Sequence, residues 1–124
     1  MGYLIVFLGG GLGAALRHGV NLAAARFAGT GFPYGTLFIN VAGSLAMGLL
    51  VEYFALKAGL PQRWRLFLTT GILGGFTTFS AFSLEAALLY ERGQIAGAAI
   101  YVVASVVLAI GALFAGLAIV RMLV

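Results

Sequence analysis

The chain of 124 residues has no cysteine, one histidine and only three Asp+Glu. Without Cys there is no disulfide framework and no thiolate metal site. One His and three scattered acids leave no paired carboxylates, no His cluster at ligand spacing and no nucleophile with its base. An enzyme is therefore not expected. Charged residues of all kinds reach 8%, against about a quarter in a soluble domain. Beside a hydrophobic content of 63%, so little charge cannot cover a water-facing surface. The composition reads as an all-α integral membrane protein. The net charge of +4 is scattered at segment ends rather than gathered in a basic stripe, which argues against a nucleic-acid partner. The short glycine runs GGGLG and GGFTT lack the strand–turn–helix context of a nucleotide site. The first apolar run has no basic n-region and exceeds the about 7–15 residues of a signal h-region. It is expected to stay as a span.

What is present is long apolar runs. A bilayer-crossing helix needs about 20 mostly apolar residues. Four stretches qualify: about Tyr3 to Phe27, Tyr34 to Leu56, Trp64 to Tyr90 and Ile95 to Val120. The connectors AGTGFP, KAGLPQR and ERGQ are short and carry turn residues. The expectation is one transmembrane domain over residues 1–124, multi-pass, in the cell (inner) membrane. Tyr3, Tyr34, Tyr53, Trp64 and Tyr90 fall near helix ends, where aromatic rings anchor at the lipid–water interface. Lys57, Arg63, Arg65 and Arg121 share one side of this topology, and Arg26 and Arg92 the other. The bias places both termini inside, but only modestly. Four helices are barely enough to line a hydrophilic path, and the 19 glycines, with Gly9-xxx-Gly13 and Gly93-xxx-Gly97 among them, permit close helix contact. A homo-oligomer is favoured over a monomer.

The polar residues inside the spans are the informative ones. The third span reads TTGILGGFTTFSAFSLE. Gly costs about 1 kcal/mol relative to Ala in a helix interior. Non-helical backbone at membrane depth is tolerated only where protein buries it or water reaches it. A break is expected near Gly74-Gly75, with helix resuming around Thr78–Phe82. The half-helix before a break ends in free carbonyls, and the one after it begins with free N–H groups. Discontinuous helices use such ends to hold cations and anions. The bland alternative is a simple kink, with Thr and Ser bonded back to their own helix. Phe79 and Phe82 share a face at i,i+3, and Ser80 and Ser83 share the adjacent one. Phenyl edges are positive, so two of them, flanked by Thr77 and Thr78, suit a small anion; plain packing is the alternative. In the second span Thr36, Asn40 and Ser44 form a stripe, either interhelical glue or donors lining an anion path. Tyr101 and Ser105 form a shorter stripe in the fourth span, which Ala109 and Leu113 do not extend. Arg17 is the intramembrane charge of the first span, about 21 Å along from Tyr3. It either snorkels or lends positive potential to an anion vestibule. His18 reads as a bystander, and Glu85 as the partner of a basic group.

These residues carry a resemblance. GGGLGAALRH at 9–18, YGTLFINVAGS at 34–44 and TTGILGGFTTFSAFSLE at 69–85 resemble the Fluc (CrcB-type) fluoride channels over nearly the whole chain. The resemblance implies an antiparallel, dual-topology homodimer with four helices per subunit and the third broken. It implies passive fluoride efflux that limits toxicity, two anion pathways per dimer, and a structural sodium ion on the dimer axis. By resemblance, the backbone carbonyls of Gly74 and Thr77 hold that sodium. Phe79 and Phe82 match the pore phenylalanines, Asn40 the pore asparagine, and Tyr101 and Ser105 the polar track. The competing reading is a small proton-coupled multidrug exporter, also a four-helix dual-topology dimer. It needs a carboxylate in the first helix, where this chain has Arg17. A structural subunit of a larger complex is the third reading.

Overall fold

The computed structural model describes residues 1–57 and 59–123, all helical apart from short connections and without a strand among the described residues. α1 (Gly2–Ala28) and α2 (Tyr34–Leu56) are followed by a compound third span, Gln62–Glu91. That span comprises α3 (Gln62–Arg65), a π-helical stretch (Leu66–Leu73), α4 (Gly74–Phe76) and α5 (Phe79–Glu91). α6 (Ile95–Leu123) completes the chain. All four spans are long and apolar enough to cross a membrane. Even α2, with 23 residues, reaches about 35 Å at 1.5 Å per residue, against a hydrocarbon core of about 30 Å.

α5 and α6 are joined by a tight reversal. Gly93 has φ 81°, a left-handed conformation open to glycine at no steric cost. Its N–H donates to the Tyr90 carbonyl at 3.0 Å, and the Gln94 N–H donates to the Leu89 carbonyl at 2.9 Å. This is a Schellman closure, which satisfies the last carbonyls of α5.

Two glycine crossings set the packing. On one side, a Cβ at Gly116 of α6 would lie 2.5 Å from the Leu45 carbonyl oxygen and 2.7 Å from the Leu49 nitrogen of α2. On the other, a Cβ at Gly9 of α1 would lie 2.9 Å from the Gly71 Cα. Backbones can approach this closely only without side chains between them, and that close contact is what drives helix association where lipid is as apolar as the helices. Gly9-xxx-Gly13 thus serves contact within the subunit, both residues packing on the third span. A Cβ at Gly93 would meet nothing within 4 Å, so that glycine serves the turn.

One buried cluster joins Phe82, Leu89, Ala98 and Tyr101, with Phe32, Leu37 and Ala86 packed against it. The exterior is apolar, with Phe7, Ile100, Val103, Val107 and Phe114 all exposed. Such a surface suits lipid, not water. At one membrane face Arg121 Nε meets Glu52 Oε2 at 2.7 Å, and Arg65 donates to the Phe54 carbonyl at 3.4 Å. These contacts tie the ends of α2 and α6 and the start of the third span into one level.

Candidate functional site

The site is built around the joint between α4 and α5. Gly74 and Gly75, where the sequence suggested the break, are helical, with Gly74 at φ −62°, ψ −38°. The extended residues are Thr77 (φ −89°, ψ 155°) and Thr78 (φ −154°, ψ 133°). The physical reason lies in α1. A Cβ at Gly75 would collide with the Gly10 carbonyl and lie 2.9 Å from the Gly10 Cα. Gly75 supplies close approach to α1, and unwinding falls instead on two β-branched residues, which accept extended backbone readily.

Hydrogen bonds hold the joint. The Thr77 N–H and hydroxyl both donate to the Leu73 carbonyl, each at 3.0 Å. The Thr78 N–H, which in a continuous helix would bond the Gly74 carbonyl, donates to Asn40 Oδ1 at 3.4 Å. The Ala81 N–H, which would bond the Thr77 carbonyl, donates to Thr78 Oγ1 at 3.3 Å. Thr78 is therefore a side-chain N-cap of α5. The carbonyls of Gly74 and Thr77 are left without their helical donors, and Gly74 lies on an exposed face. Two oxygen acceptors of this kind fit a hard alkali cation.

Beside the joint lies a groove of about 380 Å³ between α2, α5 and α6. It brings together Asn40, Thr77, Thr78, Phe79, Phe82 and Ser105 from three separate spans. Ser44 also lines it, while Met47, Ala109 and Leu113 make its apolar end. The two phenyl centroids are 5.5 Å apart, with Phe82 buried and Phe79 77% exposed on the open side. Tyr101 is fully buried behind Phe82, the ring centroids 5.1 Å apart. The Tyr101 hydroxyl and Ser105 Oγ are buried without a hydrogen-bond partner. Leaving such a group unpaired costs about 1–3 kcal/mol.

Other expected residues fall elsewhere. Ser80 and Ser83 are exposed on α5, with Ser80 Oγ 3.0 Å from Thr78 Oγ1. Arg17 approaches from α1, its Nε donating to the Gly75 carbonyl at 3.3 Å, so it neither snorkels freely nor lines the groove. Among the described residues Glu85 meets no basic group within ion-pair distance. It accepts a 2.5 Å hydrogen bond from the buried Thr36 hydroxyl. Periodicity placed Thr36 with Asn40 and Ser44, but its partner is 49 residues away, and no local pattern announces such a contact.

Four apolar spans with a lipid-compatible exterior and a groove holding a few polar groups define a multi-pass membrane protein. The sequence profile of the family described as "CrcB-like protein, Camphor Resistance (CrcB)" matches residues 4–117, and the chain belongs to that family. It is 66% identical over 124 residues to the "Fluoride-specific ion channel FluC" of Granulibacter bethesdensis, covering 100% of this chain and 98% of that one. It is 66% identical over 121 residues to a protein of the same name from Rhodopseudomonas palustris, with 98% of each covered. A relative from Hyphomonas neptunium, also so named, is 58% identical over 117 residues, covering 94% of this chain and 92% of that one.

Proposed function

We propose that the chain is a fluoride-selective channel, not an enzyme, working in the inner membrane as an antiparallel dual-topology homodimer that lets fluoride leave the cell passively. The observation that carries this reading is the groove in which Asn40, Thr78, Phe79, Phe82 and Ser105 converge. The names of the relatives, fluoride-specific ion channels, one of them 66% identical over the whole chain, support the choice of ion. Fluoride is small and strongly hydrated, so its water must be replaced in steps. The Asn40 amide, the Thr78 and Ser105 hydroxyls and two phenyl edges offer donors without a fixed charge that would trap it. Tyr101 sets the Phe82 ring, and its unpartnered hydroxyl, like that of Ser105, continues the polar track. Ser80 and Ser83 carry the path along the exposed side of α5, and Arg17 adds positive potential.

Phe79 of the groove and Gly74 beside the joint are both exposed, which supports closure by a second copy. A two-fold pair gives two equivalent anion routes and one shared axial position. There the Gly74 and Thr77 carbonyls of both subunits are proposed to hold a structural sodium ion; the third span works as a broken helix whose freed acceptors fit it. When bound, that ion supplies a fixed positive charge at the centre of the dimer. The exporter reading loses its footing because α1 carries Arg17 and no carboxylate.

The test is fluoride release from liposomes containing the purified protein, read with a fluoride electrode. Rapid fluoride release with negligible chloride release is expected. Comparable chloride flux, or no fluoride flux, rejects the reading.

A further inference from the structure

Gly9, Gly13 and Arg17 follow one another at four-residue intervals, so they share one face of α1. The two glycines are buried against the third span: Gly9 against Gly71, Gly13 against the Ile72 carbonyl and the Phe76 nitrogen. One turn further on, Arg17 Nε donates to the Gly75 carbonyl at 3.3 Å. Arg17 is half-buried there, and Gly75 is itself locked against Gly10. The carbonyls around the joint are thereby sorted. Leu73 receives the Thr77 N–H and hydroxyl, and Gly75 receives Arg17. The helical donors of Gly74 and Thr77 are diverted to Asn40 and Thr78.

We infer that Arg17 is a positioning residue for the cation site: by holding the Gly75 carbonyl on the α1 side, it fixes α4 so that the Gly74 and Thr77 carbonyls face the open side of the subunit. The inference rests on the proposed sodium site and adds to it a residue that does not touch the ion. It also sets two physical effects against each other. As a nearby positive charge Arg17 opposes a cation, and its removal would tighten sodium binding. As a backbone anchor it organises the ligands, and its removal weakens binding. The repulsion weakens with distance and screening, whereas the anchor acts directly on the backbone that carries the ligands, so the anchoring effect is expected to win.

The experiment is a sodium titration of the thermal unfolding midpoint of the purified dimer in detergent, with choline replacing sodium, for wild type, Arg17→Met and Arg17→Gln. Gln keeps an N–H donor and loses the charge. Arg17→Met is expected to need about tenfold more sodium for half of the stabilisation, and Arg17→Gln to stay within about threefold of wild type. If both variants need less sodium than wild type, or Met matches wild type, Arg17 does not position the site. Should Arg17→Met fail to assemble, Arg17→Gln decides alone, and a sodium requirement well below wild type overturns the inference. A wild type without any sodium-dependent stabilisation removes the cation site itself, and this role with it, a result distinct from a variant-specific loss.

Discussion

Asn40 Oδ1 takes the Thr78 N–H at 3.4 Å, across the contact between α2 and the joint. The side chain of one span thus replaces the Gly74 carbonyl as acceptor for another. This single contact does two things. It satisfies an N–H that an extended Thr78 would leave orphaned in the membrane, and it commits the amide oxygen so that the Asn40 NH2 remains as a donor for the groove it lines.

Asn40→Asp keeps the acceptor for Thr78 but replaces the donor with a negative charge. Folding and dimerisation are expected to survive, while fluoride flux from proteoliposomes falls at least about tenfold, since like charges repel strongly at low dielectric. Unchanged flux would remove Asn40 from the path.

Phe82 lies between Phe79 and Tyr101, its ring tilted to both, at centroid distances of 5.5 and 5.1 Å. Phe82→Ile keeps an apolar side chain and loses the ring edge. It should lower the thermal midpoint modestly, for a cost of about 1 kcal/mol, yet sharply reduce fluoride flux. A loss of flux in proportion to loss of folded protein would point to packing alone.

Thr36 and Glu85 form a part-buried pair at 2.5 Å, with Thr36 only 2% exposed. Thr36→Val preserves shape and strips the carboxylate of its donor. A destabilisation of about 1–3 kcal/mol is expected. In a double-mutant cycle with Glu85→Gln the two costs should be non-additive. Additive costs would show that the hydroxyl and the carboxylate act independently.

The glycine crossing of α2 and α6 gives a test of the scaffold. A Cβ at Gly116 would sit 2.5 Å from the Leu45 carbonyl, whereas one at Gly111 would meet nothing within 4 Å. Gly116→Ala is expected to destabilise by more than about 2 kcal/mol, as overpacking against backbone does. Gly111→Ala, on the same helix, is expected to be neutral or slightly stabilising. Equal thermal midpoints for the two variants would contradict the close crossing.

Hydropathy alone made four spans legible, because a chain with this little charge can only bury its surface in lipid. The same reading drew attention to Asn40, Thr78, Phe79, Phe82 and Ser105, because a polar group or a ring at a peculiar place in an apolar run is conspicuous. It could not say that these five line one groove while Ser80 and Ser83 lie outside it. A face on a helix is periodic and local, but what faces it depends on which helix arrives.

Composition and order therefore determined that this chain is helical, membrane-embedded and furnished with a few expensive polar residues at mid-span. Tertiary structure decided how they are used. Gly75 is held helical where α1 presses against it, and Gly74 stays helical beside it, so Thr77 and Thr78 carry the extended joint; Glu85 finds Thr36 rather than a base; Arg17 finds the Gly75 carbonyl. Each outcome is set by a partner tens of residues distant, and in a medium without water the backbone and its polar side chains must take whatever partner the packing brings within reach.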